Sequence, residues 1–255
     1  MLGYGLEGKT ALVTGAARGM GRAIALAFAD AGANVAAIDV NDDGGRETAE
    51  FARDRGAKAL FLHCDVSDGA AVAAAVGQVV ATFGSLDCAC NNAAIELEVG
   101  LLADVEDDVF DRVIAVNLKG VFVCLKHEIR QMRSQGGGTI VNIGSINSLR
   151  PQVTGAVYTS TKHAVAGLTR AAANSYAADG IRVNAVLPGA IDTEMLREKM
   201  AAVGITADQV IPDLSLNGRF GRPEEVADAV LWLSSDRSPY TFGHLLAVDG
   251  GYLAR

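Results

Sequence analysis

Short apolar runs alternate along the chain with longer segments in which apolar residues recur at a helical period. This alternation is typical of βαβ units, in which parallel strands are joined by helices that cover the sheet. Seven runs have the length and composition of strands: residues 10–15, 33–39, 58–66, 86–92, 138–145, 181–189 and 244–251. The pattern therefore predicts an α/β fold with a doubly wound, seven-stranded parallel sheet.

The alternation loosens in residues 192–222, between the last two predicted strands. Ligands of open parallel sheets bind outside the carboxyl ends of the strands, and this segment follows one such end. We expect it to form a lid over a substrate site, because long connections of this kind are often functional. A helical insertion that only packs against the sheet is the alternative.

The composition favours a protein that acts on small molecules. Its 255 residues, half of them apolar, can bury the core of one sizeable domain, so we expect a single domain over 1–255. The net charge of −8 argues against a nucleic-acid surface, which needs clustered Lys and Arg. The first residues lack a basic flank with an apolar run, and no uncharged apolar stretch of about 18 residues follows. We expect a cytoplasmic protein without a membrane partner.

Neither cysteines nor histidines are arranged as a metal site. The four cysteines are Cys64, Cys88, Cys90 and Cys124. Their spacing fits neither zinc ligands nor a redox C-x-x-C pair, and the four histidines are scattered. We expect reduced cysteines that act as small core side chains, and no bound metal.

The first predicted strand runs into a glycine-rich turn, TGAARGMG, that opens an alanine-rich helix. Gly15, Gly19 and Gly21 would let the backbone turn tightly and approach a pyrophosphate, whose charge is favoured at a helix N-terminus. The G-x-x-x-G-x-G spacing differs from the usual G-x-G-x-x-G pattern, and a simple turn is the alternative. Because the turn follows the first strand, we predict a Rossmann-type dinucleotide site.

Asp39 ends the second predicted strand, 24 residues after Gly15. An acidic residue at this place accepts hydrogen bonds from the adenine-side ribose and repels a 2′-phosphate. Val40, the next residue, is not a cation that would bind a phosphate. Asp39 therefore favours NAD over NADP, although Arg18 in the glycine turn leaves NADP open.

Tyr158 and Lys162 lie four positions apart in a helical segment, which places both on one face. An adjacent ammonium stabilises a phenolate and lowers its pKa, so that tyrosine becomes usable as a general acid or base. Ser145 ends the fifth predicted strand, and its hydroxyl would emerge at the same edge of the sheet. No histidine or carboxylate is placed to make Ser145 a nucleophile, so we interpret it as a group that orients and polarises an oxygen.

Together these features resemble the classical short-chain dehydrogenase/reductases over essentially the whole chain. The matching residues are TGAARGMG, Asp39, Asp65 and Val66, NNAA at 91–94, Asn117 in AVNLKG, Ser145, YTSTK at 158–162 and PGAIDT at 188–193. The resemblance implies that Tyr158 is the catalytic acid/base and that Lys162 lowers its pKa and holds the nicotinamide ribose. It also implies that Ser145 binds the reacting oxygen and that Asn117 completes a proton relay.

The resemblance further implies a cofactor site with many members. These are Gly15, Arg18, Gly19, Met20, Gly21, Asp39, Asp65, Val66, Asn91, Ala93, Tyr158, Lys162, Pro188, Gly189, Ile191 and Thr193. Residues 65–66 would flank the adenine, Asn91 and Ala93 would line the cofactor cleft, and Ile191 and Thr193 would meet the nicotinamide amide.

Two positions depart from the family pattern. Ala94 stands where the family usually has glycine, which we expect to tighten the cleft wall. Phe242 precedes Gly243 where a threonine is common, and this puts small contacts near the C-terminus in doubt.

We therefore predict an NAD-dependent oxidoreductase that interconverts a secondary alcohol and a ketone by hydride transfer. Pocket candidates are Glu96, Asn147, Gln152, Met195 and Leu196. Their mixed polarity suits a cyclic alcohol, a diol or a polyol, and the chain looks similar to family members that oxidise cyclic diols. The resemblance also implies a homotetramer.

Other functions stay open at this stage. An enoyl reductase of the superfamily is less favoured, because six residues typically separate its Tyr and Lys, whereas three do so here. A 3-oxoacyl thioester reductase usually takes NADPH, which Asp39 argues against. A non-catalytic dinucleotide-sensing protein on the same fold would not need the proton-transfer residues.

Overall fold

The computed structural model describes residues 4–98 and 100–255. Within these residues each predicted strand is present and lies inside its predicted range. The strands are β1 (Thr10–Thr14), β2 (Asn34–Asp39), β3 (Ala59–His63), β4 (Cys88–Asn91), β5 (Gly138–Ile143), β6 (Ile181–Pro188) and β7 (Leu245–Val248). The seven-stranded prediction is confirmed.

Helices fill the intervals between the strands, as the helical periods predict. They are α1 (Gly19–Asp30), α2 (Asp42–Asp54), α3 (Gly69–Phe83), α4 (Asp107–Ile114), α5 (Val121–Gln135), α6 (Ala156–Tyr176), α7 (Glu194–Ala202), α8 (Ala207–Leu214) and α9 (Pro223–Ser234). A π-helical turn, Ala115–Gly120, joins α4 to α5. Among the described residues, no helix combines the length and apolar character needed to cross a membrane.

All strand pairs are parallel, in the order β3-β2-β1-β4-β5-β6-β7. The winding reverses between β1 and β4, and such a reversal opens a crevice at the carboxyl ends of the strands. Val13 of β1 lies opposite Ala37 of β2 and Cys90 of β4. This register brings the glycine turn, Asp39 and the residues after β4 to one edge of the sheet.

Neighbouring strand residues pack on opposite faces of the sheet, which builds two cores. Leu12 and Ile140 lie in the core under α3, α5 and α6. Val13 and Val141 lie in the core under α1 and α9. Burying each such side chain stabilises the fold by about 1.5–3 kcal/mol relative to leaving it exposed, so the strands are firmly held between the helix layers.

The cysteines belong to these cores. Cys64, Cys88, Cys90 and Cys124 are free and buried. Burial raises the pKa of the Cys88 thiol to about 11, so it stays protonated at neutral pH. The four thiols pack as the small core side chains that the sequence predicts.

Candidate active site

A cavity of about 680 Å³ lies along the carboxyl edge of the sheet. It extends from Asp39 at the end of β2, past the glycine turn after β1, to Ser145 after β5. The predicted cofactor and catalytic residues that line it are Gly15, Arg18, Gly19, Met20, Gly21, Asp39, Asp65, Val66, Ala93, Ser145, Tyr158, Lys162, Pro188, Gly189, Ile191 and Thr193. Every predicted substrate residue lines it as well: Glu96, Asn147, Gln152, Met195 and Leu196.

The glycine turn forms a cradle that side chains would fill. Gly15 and Gly19 have φ of +66° and +53°, in the left-handed region that favours glycine. A Cβ on Gly15 would lie 2.8 Å from the Cα of Ala93, and one on Gly21 would collide with the carbonyl oxygen of Gly15. α1 begins at Gly19 with no acidic residue in its first turn. The turn therefore fits a dinucleotide pyrophosphate, which needs close backbone approach and the positive end of a helix.

Asp39 is fixed at the cavity wall by two backbone groups. Its Oδ2 accepts a hydrogen bond from the N–H of Ala17, and its Oδ1 accepts one from Asn41, both at 2.9 Å. Arg18 turns towards the segment after β6, where its Nη1 donates to Glu198 at 2.8 Å. This hydrogen bond raises the pKa of Arg18, so the guanidinium is charged and already paired.

The structure corrects the prediction for Asn91. Its side chain is buried and donates to Glu128 at 2.9 Å and to Asn142 at 3.0 Å, away from the cavity. The next residue, Asn92, lines the cavity instead and donates to the carbonyl oxygens of Thr14 and Gly15. Successive strand residues point to opposite faces, so the sequence motif alone did not show which asparagine reaches the cleft.

Ser145, Tyr158 and Lys162 meet where the cavity passes β5. Tyr158 lies in the first turn of α6, and the Ser145 side chain is near enough to lower the pKa of its phenol. Lys162, one turn further on, is 2% exposed, and its Nζ donates to the carbonyl oxygen of Ile143 at 2.8 Å. The same Nζ lies 5.5 Å from the centre of the Tyr158 ring. The expected juxtaposition of phenol, ammonium and hydroxyl is present.

Burial dominates the protonation of this group. It raises the pKa of Tyr158, the negative charge of Glu96 adds to the rise, and the hydrogen bond from Ser145 opposes it. Burial also lowers the pKa of Lys162 to about 8, with Glu96 acting in the opposite direction. The pKa of Tyr158 is therefore raised in the chain alone, and not lowered as the sequence predicts, because desolvation favours the neutral form of the phenol.

Asn117 does not line the cavity but supports its wall. It is fully buried in the π-helical turn between α4 and α5. Its Nδ2 donates to the carbonyl oxygen of Ile95 at 2.7 Å, and its Oδ1 accepts from the N–H of Ile95 at 2.8 Å. Ile95 itself lines the cavity, so both polar ends of the Asn117 side chain hold the loop after β4 in place.

Besides Asn92, two further residues near the site were missed by the sequence reasoning. Lys199 lines the cavity and forms an ion pair with Glu96. Its position four residues after Met195 on α7 is a helical spacing that could have indicated it. Glu98 is buried and accepts hydrogen bonds from the first turn of α6. No local sequence pattern indicates this contact, because it joins segments that are far apart in the chain.

Known proteins resemble the chain over nearly its whole length. A family model described as enoyl-(acyl carrier protein) reductase matches residues 15–253. The chain is 42% identical over 253 residues to cis-4-hydroxycyclohexanecarboxylate dehydrogenase of Sinomonas cyclohexanicum, covering 99% of this chain and 100% of that protein. It is 41% identical over 252 residues to 2,5-dichloro-2,5-cyclohexadiene-1,4-diol dehydrogenase of Sphingobium indicum, covering 98% of each.

Among solved structures, the chain is similar to levodione reductase. The TM-score is 0.92 at 34% sequence identity, covering 98% of this chain and 99% of the other. The fold, the family model and the sequences of these relatives each match the chain over nearly its whole length. The chain therefore belongs to the short-chain dehydrogenase/reductase family of oxidoreductases.

Proposed function

We propose that the protein is an NAD-dependent dehydrogenase that interconverts a secondary alcohol on a ring and the corresponding ketone. The observation that carries this proposal is the meeting of Ser145, Tyr158 and Lys162 at a cavity that continues into the glycine cradle. A non-catalytic sensor would need the cradle but not this buried proton-transfer group. The relatives named for dehydrogenation of ring-borne alcohols support the proposal.

The cofactor supplies hydride chemistry when bound, and the chain supplies positioning and proton transfer. The hydroxyl of Ser145 and the phenol of Tyr158 hold the reacting oxygen between them. Tyr158 takes the proton as the alcohol becomes a ketone, and it returns the proton in the reverse direction. The hydrogen bond from Lys162 Nζ to the carbonyl oxygen of Ile143 orients the ammonium beside the phenol. From there Lys162 would also bind the nicotinamide ribose.

Removing a proton from Tyr158 needs positive charge near the phenol, because burial alone favours the neutral form. Lys162 has a pKa of about 8 and can supply that charge at neutral pH. The negative charge of Glu96 acts in the opposite direction and raises the pKa of Tyr158. Lys199 forms an ion pair with Glu96.

The preference for NAD rests on Asp39 and on the pairing of Arg18. The Asp39 carboxylate stands at the end of β2, where it would accept from the ribose hydroxyls and repel a 2′-phosphate. Arg18, the nearby cation, is engaged by Glu198 and is less available to a phosphate. Reduction rates of NAD and NADP with one substrate test this preference, and equal kcat/KM for the two cofactors would contradict it.

The substrate end of the cavity combines apolar and polar walls. Met195 and Leu196 of α7 line the cavity together with Tyr158 and the polar side chains of Glu96, Asn147 and Gln152. An apolar ring with polar substituents fits such walls better than a long acyl chain or a charged sugar does. A panel of ring alcohols, sugars, sterols and acyclic secondary alcohols, scored by NADH formation, tests this substrate class.

Residues 192–222 supply the outer wall, and we assign them the role of a lid. α7, α8 and the turn between them bring Met200, Val203, Ile205, Val210 and Leu214 to the cavity. A segment that only packed against the sheet would not contribute so many lining side chains. Faster proteolysis of this segment in the free protein than with NADH and product bound would support closure.

Two further assignments follow the family. We expect a homotetramer, in which α6 could approach a second copy closely at Gly167, where nothing lies within 4 Å of an added Cβ. Sedimentation at micromolar concentration tests the assembly. An enoyl reductase, which the matched model describes, is not supported here, because Tyr158 and Lys162 are separated by a single helical turn.

A further inference from the structure

An ion pair lies inside the cavity beside the reacting group. Glu96 follows β4, Lys199 belongs to α7, and the Oε1 of Glu96 accepts from the Nζ of Lys199. Their side chains are only 13% and 23% exposed, and both line the cavity. The pair therefore lies in the space that a substrate would share, and not on the outer surface.

The pair is close to Tyr158. A Cβ added to Gly155 would lie 3.4 Å from the Oε1 of Glu96 and 3.9 Å from the Cβ of Tyr158. Glu96 is therefore packed against the N-terminal turn of α6, about one small side chain away from Tyr158. Its charge also acts on Tyr158 and Lys162, which agrees with this placement.

The pair has unused hydrogen-bonding capacity. In the described part of the chain, Glu96 Oε2 accepts no hydrogen bond, and Lys199 donates to Glu96 alone. A carboxylate acceptor and ammonium donors thus remain for a ligand. Because the pair is neutral as a unit and largely removed from water, its best partner is a group that both donates and accepts.

Each class of substituent meets the pair differently. A purely apolar ring would remove the remaining water from the pair without replacing its hydrogen bonds, which costs free energy. A carboxylate would compete with Glu96 for Lys199 and would be repelled by Glu96. A hydroxyl can donate to Glu96 and accept from Lys199, forming two charge-assisted hydrogen bonds.

We propose that the Glu96–Lys199 pair is a second recognition point, which selects a diol whose second hydroxyl lies remote from the reacting carbon. This inference rests on the proposed function and names the substrate class within it. The reacting hydroxyl is bound by Ser145 and Tyr158, and the remote hydroxyl is bound by the pair. Two fixed polar points also orient the ring, so that one face of the reacting carbon is presented.

The test compares three substrates on one ring: cyclohexanol, cyclohexane-1,4-diol and 4-hydroxycyclohexanecarboxylate. For the wild-type protein, kcat/KM for the diol should exceed that for cyclohexanol by roughly tenfold, and the carboxylate should rank last. The variants are Glu96→Gln and Lys199→Met, with Arg197→Met as the matched control. Arg197 lies on the same helix but is exposed and pairs with Asp192 outside the cavity.

In both variants, the ratio of kcat/KM for the diol to kcat/KM for cyclohexanol should fall towards one. Their effects on the carboxylate should have opposite signs, since Glu96→Gln leaves the Lys199 cation unpaired and Lys199→Met leaves the Glu96 anion unpaired. If the pair had a purely structural role, both variants would lower kcat/KM for all three substrates by the same factor. The control should keep the wild-type ratios of kcat/KM. An unchanged ratio of diol to cyclohexanol in both variants overturns the inference.

Failure of the proposed function has a separate outcome, in which the wild-type protein oxidises none of the three alcohols with either cofactor. Calorimetry with the NADH-loaded protein then measures the inference directly. Tighter binding of the diol than of cyclohexanol, lost in Lys199→Met, supports the recognition point. Equal binding of the two alcohols by the wild-type protein refutes it.

Discussion

Glu98 caps the helix that carries Tyr158: its Oε2 accepts a hydrogen bond from the Tyr158 N–H at 2.6 Å. Its Oε1 accepts another from the N–H of Val157 at 2.8 Å. The residue at the N-cap position of α6, Gly155, has no side chain that could satisfy these groups. A carboxylate from the loop after β4 therefore fixes the first turn of the helix. Its negative charge also interacts favourably with the positive end of the helix dipole.

Replacing Glu98 with Ala should weaken both stability and turnover. Two buried N–H groups would lose their acceptor, which costs roughly 1–3 kcal/mol of unfolding free energy. Because Tyr158 lies in the same turn, kcat should fall by more than the affinity for NADH changes. Chemical denaturation and steady-state kinetics measure the two effects.

Glu50→Ala is the matched control for this substitution. Glu50 is an exposed residue of α2 and does not line the cavity. Its removal should leave the unfolding free energy within about 0.5 kcal/mol of the wild-type value and should leave kcat unchanged. Wild-type kcat together with wild-type stability in Glu98→Ala would contradict the capping role.

Tyr158→Phe should abolish turnover while NADH still binds. The substitution removes the hydroxyl that exchanges the proton and keeps the ring, so the packing of α6 is retained. General acid–base catalysis contributes roughly 10²–10⁴-fold, and kcat should fall within that range or further. Stopped assays measure the rate, and NADH fluorescence measures binding. Tyr240→Phe, at a tyrosine that is 98% exposed, should behave as wild type. Near-normal activity of Tyr158→Phe would disprove the assignment.

The elements and most of the candidate site were predictable because their signals are local. Apolar runs predict strands, the glycine turn needs only neighbouring residues, and the spacing of Tyr158 and Lys162 places them on one helical face. The order of strands then brings the ends of β1, β2 and β5 to one edge. Lining residues named from the sequence therefore meet in one cavity.

Features set by tertiary packing were not predictable from these signals. Which of Asn91 and Asn92 faces the cleft depends on where β4 ends, and the two side chains go to opposite sides. The cap by Glu98 joins segments with no common sequence pattern. The direction in which the pKa of Tyr158 shifts depends on burial, and the sequence spacing of Tyr158 and Lys162 does not show how deeply they are buried.

Asp39→Ala should shift the cofactor preference towards NADP. The carboxylate repels a 2′-phosphate and accepts from the ribose, and hydrogen bonds to charged groups contribute about 1.5–3 kcal/mol. The ratio of kcat/KM for NAD over NADP should therefore fall by roughly 10- to 100-fold. Assays with both cofactors and one substrate give this ratio.

Glu198→Gln separates the contribution of Arg18 from that of Asp39. The substitution removes the ion-pair partner of Arg18 and frees its guanidinium for a phosphate. Both side chains are largely exposed, so the shift towards NADP should be smaller than that of Asp39→Ala. Asp54→Ala, which removes an exposed charge from α2, should leave the cofactor ratio unchanged. If both Asp39→Ala and Glu198→Gln keep the wild-type ratio, another part of the site selects the cofactor.

Glu128 should make the stability of the fold depend on pH. It is 1% exposed, and burial raises the pKa of its carboxyl from 4.5 to about 7, against a smaller opposing effect of its hydrogen bond from Asn91. Glu128 Oε1 and Asn91 Oδ1 have no hydrogen-bond partner among the described residues, so a carboxyl proton is the donor that this pair lacks. The folded protein therefore retains a proton that the unfolded chain releases.

Below about pH 4.5 the carboxyl is protonated in both states, and its contribution to stability does not change with pH. Between pH 4.5 and about 7 the folded state binds more protons, so the unfolding free energy falls as pH rises and levels off above 7. Glu128→Gln has the same shape without the charge and should remove this decline. The variant should gain roughly 2–3 kcal/mol on wild type between pH 5 and pH 8. Urea unfolding at both pH values measures the gain, Glu50→Gln should show none, and an equal difference at both pH values would mean that Glu128 is ionised throughout.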